Sequence, residues 1–122
     1  AGIAGMSGDM RDLRAAAGRG NERAALAIRV FTSDVRRYIG AFAAEMGGLD
    51  ALAFTGGIGE NDAASRREIC ESLGFLGVEI DESKNLANER MIGRGRTAVF
   101  VIPADEERVV AENAWKLLNR EA

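Results

Sequence analysis

Apolar and polar positions alternate along this chain in two distinct rhythms. The longest rhythm runs from Asn21 to Met46, where Ala24, Ile28, Phe31, Val35, Tyr38, Ile39, Phe42 and Met46 recur at gaps of three and four. Such gaps place the side chains on one face of a helix. Arg23, Arg29, Asp34, Arg36, Arg37 and Glu45 mostly take the other face. A helix of that length spans roughly 39 Å. Asn21 is a good N-cap and Gly47-Gly48 a stop, and the Phe and Tyr positions read as core. Ahead of it, Ala1 to Gly8 is irregular. A short helix follows through Ala17, with Asp9 as N-cap and Gly18 and Gly20 ending it.

Beyond the long helix the rhythm changes. Asp50 to Thr55 is apolar nearly throughout, as in a strand covered on both faces. Gly56, Gly57 and Gly59 then form a glycine-rich turn, and Asn61 or Asp62 caps a helix to about Leu73, with Ile69, Cys70 and Leu73 on its buried side. Gly74-Phe-Leu-Gly77 ends that helix. Val78-Glu-Ile80 alternates as a short edge strand would, Asp81 to Arg90 suits one or two helical turns, and Gly93-Arg-Gly-Arg96 reads as a solvated turn. Thr97 to Ile102 is β-branched and apolar, a second buried strand ended by Pro103. A last helix runs from Asp105 to about Arg120, with Val110, Ala114, Leu117 and Leu118 on its apolar face. Acidic residues in its first turn suit the helix dipole.

Two strands joined through a helix should lie parallel, with a right-handed crossover. The fold class is therefore α/β, with two main parallel strands and flanking helices. So small a sheet is incomplete, and an open edge wants a partner strand. The chain is expected to be part of a larger domain or to pair with another chain.

Composition narrows the function. The 122 residues are 47% apolar and 29% charged, which suits one globular unit. The net charge of −3 and pI of about 5.1 argue against nucleic-acid binding. One cysteine allows no internal disulfide and favours a reducing, cytoplasmic setting. Cys70 reads as a small buried hydrophobe. No apolar run approaches the ~18 residues of a membrane span, and no stretch resembles a signal peptide. There is no histidine, hence no histidine acid, base or metal ligand in the chain.

The candidate chemistry lies in the glycine turn. It lacks the Gly-Lys-Ser/Thr of a P-loop and does not match the dinucleotide fingerprint. Ligands in open α/β sheets nevertheless favour the carboxyl ends of strands. Both this turn and Pro103 to Glu107 lie at such ends and should share one edge of the sheet. A glycine turn beside an acidic cluster suits a nucleotide with Mg²⁺, which takes oxygen ligands.

Five segments together carry a resemblance. Ser7-Gly-Asp-Met-Arg-Asp12, Gly47-Gly-Leu-Asp-Ala51, Phe54-Thr-Gly-Gly-Ile-Gly-Glu-Asn61, Leu73-Gly-Phe-Leu-Gly-Val-Glu-Ile-Asp81 and Val101-Ile-Pro-Ala-Asp-Glu-Glu107 resemble the acetokinase family in order and spacing. The match runs along essentially the whole chain but only the last third of a family enzyme. The resemblance implies a partial actin-like ATPase (ribonuclease H-like) fold, residues 1–122 being its nucleotide-binding C-terminal portion. It implies ATP or ADP with Mg²⁺ as cofactors and acetate as substrate of the intact enzyme. It implies a homodimer, since the family dimerises through this domain. Residue by residue, Asp9, Met10 and Arg11 look like the stretch contacting the nucleoside. Gly57, Ile58, Gly59, Glu60 and Asn61 look like the adenine- and nucleotide-binding turn, with Ile58 the apolar contact for the purine. Glu106, next to Glu107, looks like the Mg²⁺-associated glutamate.

The chain departs from the family at Ala4, where serine is usual, and at Ala104-Asp105, where Thr-Asn is common. The family's acetate pocket, transition-state arginines and histidine, catalytic aspartate and first phosphate loop lie upstream of the matched region. The chain by itself is therefore expected not to turn over substrate. A dimerisation or interaction fragment, and a segment of a propionate or butyrate kinase, are the competing readings.

Overall fold

The computed structural model describes residues 10–103, with Gly57 and Ile58 described in their backbone alone. The expected N-cap at Asp9, the final helix and Glu106 lie outside the described residues.

The first helix, α1, spans Met10–Gly18 and buries Met10. It includes Gly18, and its carbonyls at Ala16 and Ala17 are taken up by Arg19, Gly20 and Asn21 N–H groups. The left-handed backbone needed there falls on Gly20, φ 93°. The long helix, α2, spans Glu22–Met46. Asn21 caps it, its Oδ1 accepting the Ala24 N–H at 3.1 Å. Gly47 closes it at φ 76° with its N–H to the Ala43 carbonyl. Both caps are the residues expected from sequence, because capping is a local property.

The face of α2 is right, but its burial is not uniform. Ala24, Ile28, Thr32 and Ala43 are buried, and Val35 and Ile39 pack against the core. Tyr38, Phe42 and Met46, on the same stripe, are 70%, 59% and 65% exposed. The expected core role of Tyr38 and Phe42 is thus corrected. The reason is coverage: α2 packs chiefly on α1 and on the helix Ala63–Cys70. These partners lie against the part of the stripe around Ala24, Ile28 and Thr32, and the large side chains beyond Ile39 are left exposed.

Strand β1, Ala51–Phe54, pairs in parallel with β2, Ala98–Val101, in the register Ala51 to Ala98 through Phe54 to Val101. Phe54, Val99 and Val101 point inward, while Ala51 and Ala53 are exposed. One face of β1 is covered, not both as expected. The strand is apolar throughout because its outer residues are alanines, small enough to stand either in or out.

Between the strands come α3 (Gly56–Asn61), α4 (Ala63–Cys70), a 3₁₀ turn over Gly74–Leu76 and α5 (Glu82–Leu86). Asp62, rather than Asn61, caps α4 through the Ser65 N–H at 3.1 Å. The helix ends at Cys70, three residues before the expected Leu73. Val78 to Ile80 makes only an isolated antiparallel bridge, Ile80 to Gly93, instead of a strand. Asp81 cuts it short by capping α5, where its Oδ1 accepts the Lys84 N–H at 3.1 Å. The core is Phe54, Ile69, Cys70, Leu73, Val78, Ile92, Val99 and Val101.

Cys70 is buried, in keeping with its reading as a hydrophobe. Desolvation pushes its thiol up to about 12, against a smaller opposing pull from Arg66. The folded state holds the proton where the unfolded chain releases it, so stability is full below the unfolded thiol's pKa and declines as pH rises toward the folded value. Between about pH 9 and 12 this group should remove roughly 1.4 kcal/mol of stability per pH unit. Urea titrations across that range should show the slope in the native chain and a shallower one in Cys70→Ala.

Candidate functional site

The site is built where β1 ends. Thr55 follows the strand, and the chain turns directly into α3 through Gly56 at φ 80°. The glycine-rich stretch is therefore itself a six-residue helix, Gly-Gly-Ile-Gly-Glu-Asn, and not an open turn. Gly59 packs onto the end of the strand. A Cβ there would lie 3.2 Å from the Phe54 carbonyl carbon, tighter than ordinary contact, so a larger residue would push the helix and the strand end apart by a few tenths of an ångström. Thr55 stands where a side-chain oxygen ordinarily caps a helix. Its Oγ1 is shielded from solvent yet has no hydrogen-bond partner among the described residues. A shielded hydroxyl without a partner is costly and invites a ligand.

Of the residues singled out from sequence, Met10 is buried and Arg11 exposed, both in the first turn of α1. Gly59 and Glu60 are half-buried and Asn61 is exposed on α3. The two groups are joined one turn further along α1. Arg14 lies 3.5 Å from the Asp62 carboxylate, next to Asn61. It also donates to both carboxylate oxygens of Glu68 at 3.1 Å and to Ser65 Oγ at 2.9 Å. Partial burial opposes the charge on Arg14, but the Glu68 hydrogen bonds and the fields of Asp62 and Glu68 outweigh it and raise its pKa. This bidentate clamp on Glu68, with the contacts to Asp62 and Ser65, holds α1 along the length of α4. Arg36 adds a bond from α2, donating to the Glu68 carbonyl at 2.8 Å.

Behind α3 lies Arg66, with no exposed surface. Its Nε and one terminal nitrogen donate to Asn85 Oδ1 and to the Asn85 carbonyl, both at 2.7 Å. It also reaches Asn88 Oδ1 and, at 2.9 Å, the Gly59 carbonyl. Desolvation lowers its pKa, with Asp62 pulling the other way. Sequence reasoning missed this residue. Its signal was present: Arg66 stands three before Ile69 and four before Cys70, on the buried stripe of α4. Thr55 and Arg14 were missed as well: Thr55 stands at the N-cap position, a local signal, whereas no local pattern marks Arg14.

Among the described residues no cluster of three or more acidic or cysteine side chains is placed to hold a metal ion. Nor is any described helix long and apolar enough to cross a membrane.

The fold and site define one class: a piece of an α/β domain whose candidate ligand site lies at the carboxyl end of parallel strands. The family model for the acetokinase family matches residues 1–112, and the chain belongs to that family. It is 45% identical to the acetate kinase of Treponema denticola over 121 residues, covering 96% of this chain and 30% of that protein. It is 48% identical to the propionate kinase of Citrobacter koseri, covering 95% and 29%. Among solved structures, Porphyromonas gingivalis acetate kinase superposes with a TM-score of 0.78 at 36% identity, covering 97% of this chain and 32% of that one. The chain thus spans about a third or less of the length of these relatives.

Proposed function

We propose that this chain forms the nucleotide side of a short-chain carboxylate kinase, which converts ATP and acetate to ADP and acetyl phosphate. The observation that carries the reading is the glycine helix docked on the end of β1 beside the Thr55 hydroxyl, which has no partner among the described residues. Gly57, Ile58, Gly59, Glu60 and Asn61 would hold the base and ribose from one side, and Asp9, Met10 and Arg11 from the other. The Arg14–Asp62 contact, which ties α1 to the start of α4, supports that pairing. Bound Mg²⁺ would shield phosphate charge, with Glu106 as the residue assigned to it. The carboxylate pocket would lie in the part of the relatives that this chain does not span. The choice of acetate therefore rests on the relatives' names, which include acetate kinases and propionate kinases. Phosphoryl transfer needs positioning and charge stabilisation from all sides, so the chain alone should bind nucleotide without turning it over. We assign it to the cytoplasm.

Calorimetry tests this directly. The chain should show saturable Mg·ADP binding, weakened about tenfold or more in Gly57→Val through lost close approach. Absence of binding at millimolar ADP rejects the reading.

A second reading draws on the exposed half of the α2 stripe. Tyr38, Phe42 and Met46 stand one turn apart on one face, an apolar surface of the kind that marks association. It supports homodimerisation. Sedimentation should reveal concentration-dependent association that Phe42→Ser abolishes, with a change in stability of about 0.5 kcal/mol or less because the ring is exposed. A monomer at all concentrations excludes self-association by this face.

A further inference from the structure

We propose that Arg66 is a positioning residue for the glycine helix. By taking the Gly59 carbonyl, it sets where the backbone of α3 lies against a nucleotide. This rests on the nucleotide reading of the site.

The helix does not hold itself in place. Three of its six residues are glycine, which is among the weakest helix formers. At six residues it is too short to be stable from propensity alone. The Gly59 carbonyl lies in its last turn, where carbonyls lack intrahelical partners. It is met instead by a guanidinium, whose planar fork fixes direction as well as distance.

The guanidinium is held in turn. Asn85 is fully buried and engages Arg66 through both its side-chain and main-chain oxygens. Its own Nδ2 donates to the Ala63 carbonyl at 2.9 Å, fixing the amide's orientation. Asn88 adds a further acceptor from a left-handed backbone, φ 53°, which asparagine tolerates. One cation thus ties together the last turn of α3, the start of α4 and the end of α5. A fully buried arginine carries a large desolvation cost. An apolar side chain of similar volume would fill the space without that cost, but would take the Arg66 donor from the Gly59 carbonyl and from the buried Asn85 Oδ1. What the arginine adds is geometry. Gly59 is gripped between the Phe54 backbone on one side and Arg66 on the other.

The test combines amide exchange by NMR with Mg·ADP calorimetry on the native chain, Arg66→Met, Arg66→Lys and Asn88→Gly. Met keeps the stem but removes the donors, Lys restores one charged donor, and Gly keeps the left-handed backbone at an exposed position. In Arg66→Met, exchange at Gly59, Glu60 and Asn61 should quicken about tenfold beyond any change in α2. Mg·ADP affinity should fall about tenfold, with Lys recovering part of both effects. Asn88→Gly should move both readouts the same way by about threefold, and it decides the matter if Arg66→Met does not fold. Uniform quickening across α2 and α3, or no change at Gly59 to Asn61, overturns the proposal. If the native chain binds no Mg·ADP, the nucleotide reading fails by itself, and the exchange pattern still judges Arg66 as the residue that positions α3.

Discussion

Replacing Gly95 with alanine should cost the fold about 3 kcal/mol, at the upper end for overpacking. A Cβ at this position would lie 2.5 Å from the Gly77 carbonyl oxygen and 3.2 Å from the Glu79 nitrogen and Cβ. The near atom is backbone, and it cannot retreat. The Gly77 carbonyl accepts the Thr97 N–H at 3.0 Å. Gly77 itself is left-handed at φ 84° and closes the 3₁₀ turn. On the other side, Thr97 is fully buried, its Oγ1 lying 2.9 Å from the Leu49 carbonyl and 2.7 Å from the Leu76 carbonyl. A shift at residue 95 would therefore pass into Thr97 and the first residues of β2. Gly74→Ala is the control: nothing lies within 4 Å of its would-be Cβ, and its stability should change by about 0.5 kcal/mol or less. Urea unfolding of the two variants should separate them in midpoint with little change in slope. Equal midpoints would mean that the Gly77–Gly95 crossing opens freely.

The same contrast between local and distant causes decides what could be read from the sequence. Asn21, Gly47, Asp62 and Asp81 act on the backbone within a few residues of themselves; pattern alone locates the ends at Asn21 and Gly47 and narrows the third to Asn61 or Asp62. The parallel pairing of β1 with β2 follows from two apolar runs separated by helix. Periodicity also assigns Tyr38, Phe42 and Met46 to the correct face of α2. It carries no information about how far the core extends along that face, so their exposure was not legible. The glycine stretch misleads for a related reason. Glycines argue for an open turn, yet Gly56–Asn61 is helical, with its Gly59 carbonyl bonded from outside by Arg66. The arginine lies on a stripe that reads as apolar, and its partners Asn85 and Asn88 are 19 and 22 residues away. Hydrophobic pattern has no means of pairing a buried cation with acceptors at such separations. The location of the candidate site was legible, since strand-to-helix junctions at carboxyl ends are where α/β sheets bind ligands. The residues that brace it were not.

Ile92→Ala should have a similarly large effect and can be made to report on function. Ile92 is fully buried in the core cluster with Val78 and Val99. Its N–H donates to the Val99 carbonyl at 2.9 Å and its carbonyl accepts the Asp81 N–H at 2.8 Å, which prevents the backbone from moving in to fill a void. The next residue cannot help, because Gly93 already sits so close that a Cβ would lie 2.7 Å from the Val99 nitrogen. With collapse blocked, the lost side chain should cost about 3 kcal/mol, or roughly 12 °C in Tm for a domain of this size. A ligand that binds only the folded state adds about 2.7 kcal/mol at 100 times its Kd. Mg·ADP at that excess should therefore return the variant to within a few degrees of the ligand-free native chain, whereas Mg²⁺ alone should not. The site and Ile92 are separate elements of the fold, so the two contributions should add. A fall in Tm with no recovery would uphold the core and reject the nucleotide. No fall at all would mean that the backbone hydrogen bonds at Ile92 yield more readily than their geometry requires.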